Sequence, residues 1–180
     1  MTPRLLFRLM AFSLLSLLGL QAAPLQPGAD APKLTGRTDK GGEIRLEDVY
    51  AANTYTLIFF YPKASTSGCT AQGCSLRDAN AELSRLGVAI LGVSTDDEGN
   101  QRAFSEKNRF PFPLIADTDK KWAQGFGISV TLGMAKRSAF LIKGGKIVWM
   151  DPNAATGKQA EDVLKAIAAI EGAKPAGAAK

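Results

Sequence analysis

Residues 54–62 constrain this chain most. Thr54-Tyr55-Thr56-Leu57-Ile58-Phe59-Phe60-Tyr61 is an unbroken run of β-branched, aromatic and aliphatic residues, stopped by Pro62. A strand that does not alternate apolar with polar is covered on both faces, so it belongs at the centre of a layered α/β sheet. Val88-Ala89-Ile90-Leu91-Gly92-Val93-Ser94 repeats the pattern. Between the two runs, segment 70–86 places Leu76, Ala79, Leu83 and Leu86 at helical spacing, and Gly87 can terminate it.

The remaining segments extend that alternation. Segment 34–46 reads as a hairpin turning at Asp39-Lys40-Gly41-Gly42, and 97–108 as a polar helix carrying Phe104. Segment 114–116 is a short strand after Pro111-Phe112-Pro113, and 120–126 a short helix. Segments 138–143 and 146–150 pair through Gly144-Gly145, a strong turn signal. A closing helix over 157–170 sets Val163, Ile167 and Ile170 on one face. The expected fold class is α/β: a central mixed sheet flanked by helices, in one domain over 23–171 without internal repeats. The Ala/Lys/Gly stretch 172–180 is expected to be a disordered tail.

Residues 1–22 read as a secretory signal. Arg4 and Arg8 form a positive start, Leu9 to Leu20 is uncharged and apolar, and Ala22 and Ala23 supply small residues. The apolar run falls short of the roughly 20 residues a spanning helix needs. Cleavage is expected after Ala22, since Pro24 disfavours the next bond; the alternative is an uncleaved anchor. A cleaved chain would be periplasmic or secreted, with no stable membrane association. The net charge is +5, and loss of Arg4 and Arg8, with no acidic residue before Asp30, lowers it by two to +3. That mild balance, without a dense basic cluster, argues against nucleic acid.

The chain has two cysteines, Cys69 and Cys74, and no histidine. The missing histidine excludes Cys-His and Ser-His-Asp hydrolases and most zinc or copper sites. No cofactor or metal is expected. A disulfide closing so small a loop removes little chain entropy, so two cysteines this close point to redox chemistry more than to a staple. Without histidine, any activation of a thiol must come from a helix terminus, an arginine or backbone donors.

Cys69 stands where such activation is available. A strand ends near Phe60, the loop Pro62-Lys63-Ala64-Ser65-Thr66-Ser67-Gly68 follows, and a helix starts around Cys69. Free amides of a first helical turn stabilise negative charge. Gly68 allows close backbone approach, and Thr66 brings a hydroxyl three residues before the thiol. The bland alternative is a small buried residue in a loop. Arg137, opening a strand, would on local grounds be a solvated charge.

The motif Pro62-x-x-x-Thr66-x-x-Cys69 resembles the peroxiredoxin signature. Phe60-Tyr61-Pro62-Lys63 before it, Cys74 and Leu76-Arg77-Asp78 after it, Leu91-Gly92-Val93-Ser94, Phe110-Pro111-Phe112-Pro113-Leu114 and Arg137-Ser138-Ala139-Phe140 resemble the peroxiredoxin Q, or bacterioferritin comigratory protein, branch. The likeness runs from about Leu25 to Ile170. It implies a thioredoxin-like fold and a thiol peroxidase acting on hydrogen peroxide and organic hydroperoxides. Cys69 would be the peroxidatic residue, Cys74 its resolving partner in an intramolecular disulfide, and Pro62 the shield of the loop. Thr66 and Arg137 would orient the peroxide, with Gly68 lining its seat. The reductant would be a dithiol such as thioredoxin or a periplasmic thioredoxin-like protein, and the chain is expected to be a monomer. Three positions depart from the branch: Ser67 replaces a usual Pro, Ala64 a commonly acidic residue, and Gln72 a frequent Glu.

If residues 69 to 74 form regular helix, their Cα atoms lie ~8–9 Å apart, beyond the roughly 7 Å a disulfide tolerates. Resolution then requires local unwinding, which Gly73, Ser75 and Ser65 would ease; alternatively, Gly73 only makes room for a neighbour. Two further readings remain at this point. One is a thioredoxin-type thiol-disulfide oxidoreductase, against which the four intervening residues argue. The other is a non-enzymatic exported domain with a structural disulfide. A copper chaperone would want a histidine ligand.

Overall fold

The computed structural model describes residues 23–172. The expected signal segment 1–22 and tail residues 173–180 lie outside the described residues. Short strands β1 (Thr35–Arg37) and β2 (Glu43–Arg45) form the first hairpin and lead into α1 (Leu46–Ala52). Then come β3 (Tyr55–Phe60), α2 (Ser67–Asp78), α3 (Asn80–Arg85), β4 (Val88–Ser94), α4 (Glu98–Asn108) and β5 (Leu114–Ala116). The chain finishes with α5 (Lys121–Gly125), β6 (Val130–Thr131), β7 (Met134–Ala135), β8 (Ser138–Lys143), β9 (Lys146–Asp151) and α6 (Gln159–Gly172).

The main sheet has the order β5-β4-β3-β8-β9. β3 runs parallel to β4 and antiparallel to β8, so the sheet is mixed, as the closing hairpin requires. Every residue of β3 is buried. Because successive side chains point to opposite faces, β3 serves two cores. Leu57, Phe59 and the following Tyr61 pack with Leu76, Leu83, Phe104, Val163 and Ile167. Ile58 and Phe60 pack with Leu46, Trp122, Phe126 and Ile128 on the other face.

The local signals end most elements where expected. Gly41 (φ +80°), Gly87 (φ +73°), Gly144 (φ +56°) and Gly145 (φ +75°) adopt the left-handed backbone their turns require. Asp97 caps α4, its Oδ1 accepting from Asn100 N at 2.7 Å.

Four details differ from the sequence reading. The long helix expected over 70–86 starts earlier, at Ser67, and breaks at Ala79 (φ −93°, ψ 3°) into α2 and α3. Leu76 and Leu83 still face the same core, so the periodicity survived the break. α1 and the β6–β7 hairpin leave no periodic signal in the sequence, because seven residues and two-residue strands fall below any periodicity window. α6 continues through Gly172, the first residue of the stretch expected to be a tail, and near its end Glu171 accepts from Lys143 Nζ at 2.7 Å and from Tyr55 Oη at 2.5 Å.

Gly73 has a packing reason to be small. A Cβ there would lie 2.4 Å from Phe110 Cζ. The aromatic ring fills the space over the middle of α2, between Cys69 and Cys74. Gly73→Ala gains helix propensity but overpacks this contact, and such overpacking costs ~1–3 kcal/mol. Urea denaturation should show lowered stability; an unchanged or raised midpoint would mean that Phe110 yields freely.

Candidate active site

The strand register brings the site together. Phe60 pairs with Val93 of β4 and with Ser138 of β8. The carboxyl ends of β3 and β4 therefore meet the amino end of β8, the expected place for a site in an α/β sheet. Arg137, one residue before β8, thus arrives beside the loop that follows β3.

Cys69 is the third residue of α2 and is buried, with 1% of its surface exposed. The first helical hydrogen bond runs from Thr70 N to Thr66 O, at 2.8 Å. The amides of Ser67, Gly68 and Cys69 precede it and lie outside the helical ladder. Arg137 Nη2 donates to Cys69 Sγ at 3.3 Å. Arg137 is half-buried and, among the described residues, pairs with no carboxylate. Its other amino group, Nη1, donates to Gln72 Oε1. The guanidinium is thus held by a neutral amide and keeps its positive charge beside the sulfur.

Gly68 lies against that cation: a Cβ there would sit 3.3 Å from Arg137 Nη2 and 3.4 Å from Thr156 Cγ2. The glycine makes room for the guanidinium as well as for a ligand. Thr66 caps α2 by position without a side-chain cap bond. Its hydroxyl donates to Lys63 O at 3.1 Å, so it closes the loop and does not reach the thiol. Pro62 is half-buried and ends β3. Ser67 occupies the first helical position, where proline is well tolerated and presets φ. Serine leaves that φ to be set by the surrounding loop.

A second polar chain, unforeseen from sequence, holds the loop. Ala64 N donates to Asp96 Oδ2 at 2.8 Å, and Ser94 Oγ donates to the same oxygen at 2.7 Å. Gln101 Nε2 donates to Ser94 Oγ at 2.9 Å and to Ile115 O at 2.8 Å, and Tyr61 Oη donates to Gln101 Oε1. Burial pushes the Tyr61 phenol well above its ordinary range, which keeps it a neutral donor. Nothing in the sequence sets Gln101 apart from the other polar residues of α4; only its burial in the fold does.

Cys69 and Cys74 are both free thiols on one continuous helix. The spacing argument for unwinding therefore applies to this state, and the two cysteines form no structural disulfide in it. The described residues contain no cluster of His, Cys, Asp or Glu that could hold a metal.

The AhpC/TSA family matches residues 27–150. The chain belongs to the AhpC/TSA family. Peroxiredoxin Bcp of Escherichia coli strain K12 is 40% identical over 105 residues, 58% of this chain and 66% of that protein. Peroxiredoxin Bcp of Bacillus subtilis strain 168 is 35% identical over 104 residues, 58% of this chain and 65% of its own length. The matched stretch thus spans just under two thirds of these relatives. The crystal structure of peroxidoxin BcpB from Mycobacterium tuberculosis superposes with a TM-score of 0.76 at 28% identity, covering 81% of this chain and 98% of that one. Peroxiredoxin Q from Xanthomonas campestris gives 0.71 at 30% identity, covering 83% and 98%. Within the AhpC/TSA family the chain falls in the peroxiredoxin Q/Bcp branch, and its fold is the thioredoxin-like one expected.

Arg137→Lys keeps the charge but loses the fork that reaches Cys69 and Gln72 together. One lost charge-assisted hydrogen bond is worth ~1.5–3 kcal/mol, roughly a ten- to hundredfold slower reaction with peroxide. Stopped-flow kinetics would read the rate, and circular dichroism would confirm an intact fold. A rate equal to the parent's would make Arg137 an ordinary surface charge.

Proposed function

We propose that this chain is a thiol-dependent peroxidase that reduces hydrogen peroxide and organic hydroperoxides through Cys69. One observation carries the reading: a buried thiol in the first turn of a helix, 3.3 Å from an arginine that no carboxylate neutralises among the described residues. Helix amides and guanidinium both present positive charge to the sulfur. The fold and family relationship supports the same chemistry.

In the proposed cycle the Cys69 thiolate attacks one peroxide oxygen. The S–O bond forms as the O–O bond breaks, and the leaving oxygen takes a proton to become water or an alcohol. Cys69 is now a sulfenic acid. The Cys74 thiol then attacks that sulfur, releasing water and forming an intramolecular disulfide. An external dithiol, such as thioredoxin or a periplasmic relative, reduces the pair and is itself oxidised. Arg137 and the amides of the first turn stabilise the thiolate and orient the peroxide, and Gly68 leaves them room. Pro62 ends the strand and shields the loop. Thr66 closes the loop through Lys63 and flanks the peroxide seat.

Both cysteines lie on one helix, so resolution needs no second subunit, in keeping with a monomer. The leader-like segment with Arg4, Arg8 and the apolar run to Leu20 supports export. Among the described residues no helix is long and apolar enough to cross a membrane. Cell fractionation followed by N-terminal sequencing should find the chain outside the cytoplasm, beginning at Ala23. A full-length cytoplasmic chain would overturn export.

Cys69→Ser should abolish peroxide reduction, because serine supplies no thiolate. Cys74→Ser should keep the first step, accumulate a Cys69 sulfenic acid that dimedone traps, and stop turnover with a dithiol donor. Near-full turnover in the first variant would defeat the peroxidase reading. Unchanged turnover in the second would remove Cys74 from the cycle.

A further inference from the structure

Gln159, the first residue of α6, is fully buried. Its Oε1 accepts from Gln72 Nε2 at 2.8 Å. Gln72, also fully buried, accepts on Oε1 from Arg137 Nη1, and Arg137 Nη2 reaches Cys69 Sγ at 3.3 Å. The polarity of this chain of contacts follows from one fact: a guanidinium has only donors. Gln72 must therefore turn its oxygen to Arg137 and its amino group towards α6. Gln159 must meet that group with an oxygen. Its own Nε2 is left without a protein acceptor among the described residues. Leaving a buried donor unpaired is costly, and this orientation keeps that cost at the far end of the chain from the sulfur.

Gln72 lies between Cys69 and Cys74, in the stretch that must leave helical geometry before the two sulfurs can bond. Two contacts tie that part of α2 to the start of α6. One is the Gln72–Gln159 hydrogen bond; the other runs from Ala160 N to Ser75 Oγ at 3.1 Å. The Gln72–Gln159 bond, which orients the amide that seats Arg137, is thus also a bond that unwinding must break.

We propose that Gln159 is a positioning residue for Cys69 that acts through Gln72 and Arg137, and that the same hydrogen bond restrains the helix against disulfide formation. The inference rests on the peroxidase reading with Cys74 as the resolving thiol. Its consequence is a pair of effects of opposite sign. Losing the Gln159 oxygen loosens the amide that orients Arg137, so Cys69 reacts more slowly with peroxide. The same loss frees the segment to unwind, so the sulfenic acid converts to disulfide faster. A residue that only filled space would show its effects whether or not Gln72 is present.

The test uses the whole protein with Gln159→Met, which keeps side-chain length but offers no strong acceptor. Gln159→Leu repeats it with another apolar shape, should one variant fold poorly. In the Cys74→Ser background, the midpoint of Cys69 alkylation by iodoacetamide against pH should move upward, and sulfenic acid formation should slow by about three- to tenfold. With Cys74 present, rapid quenching and mass spectrometry should show disulfide appearing from the sulfenic acid at least about threefold faster. In a Gln72→Met background, Gln159→Met should leave alkylation unchanged, because the intermediary is gone. Unchanged kinetics in both steps, both steps slowed, or an effect that persists without Gln72 would each overturn the inference. If the parent chain itself forms no Cys69–Cys74 disulfide after peroxide, the failure lies with the resolving role of Cys74.

Discussion

The double burial of β3 underlies the rest of the structure. Leu57, Phe59 and Tyr61 enter one core and Ile58 and Phe60 the other. Burying a side chain of this size contributes roughly 1.5–3 kcal/mol, so a run buried on both faces secures both layers at once. It also locks register. A slip of one residue against β4 or β8 would exchange the two cores, and neither face could accept the other's side chains. With Phe60 held opposite both Val93 and Ser138, three strand ends converge at one end of the sheet. The loop bearing Cys69, the Ser94–Asp96 turn and Arg137 are carried there by a register chosen for packing.

At that end of the sheet, neutral side chains hold the charged one. Gln72 seats the Arg137 guanidinium without cancelling its charge, which leaves the cation available to the sulfur. A carboxylate at position 72 would bind the guanidinium more tightly and compete with the thiolate for it. The loop itself is anchored from the opposite side by Asp96, through Ala64 N. The site is thus built from two polar networks that meet at the start of α2, one from β8 and α6, the other from β4 and α4.

α2 answers to two demands. Its middle is closely packed, with Gly73 under the Phe110 ring and Gln72 and Ser75 tied to α6. Yet two cysteines on one regular helix cannot bond until the helix opens. Of the two roles considered for Gly73, making room for a neighbour is the one the geometry supports; a glycine there also carries the weaker helix propensity that opening would use. Gln72 seats Arg137 from this same helix, so in the proposed cycle the contacts that favour attack on peroxide would also oppose the disulfide that follows.

Much of this was legible in the chain itself, for local reasons. Unbroken apolar runs announced β3 and β4, helical spacing announced α2 and α6, and glycine pairs announced two of the turns. The order of these elements was enough for a mixed α/β sheet. A cysteine at a strand-to-helix junction without any histidine pointed to a thiol activated by a helix start or an arginine, and the resemblance to peroxiredoxins supplied names for Pro62, Thr66, Cys74 and Arg137. Tertiary structure alone decided which side chains meet. Arg137 reaches Cys69 across 68 residues, and Gln159 reaches Gln72 across 87. Read locally, Arg137 was a solvated charge, and nothing singled out Gln159. It also turned the Thr66 hydroxyl to Lys63, broke one expected helix at Ala79 and carried α6 through Gly172. The reason is physical: periodicity and turn chemistry are properties of neighbouring residues, whereas these contacts depend on sheet register and on how α6 docks on α2, which exist only once both cores have packed.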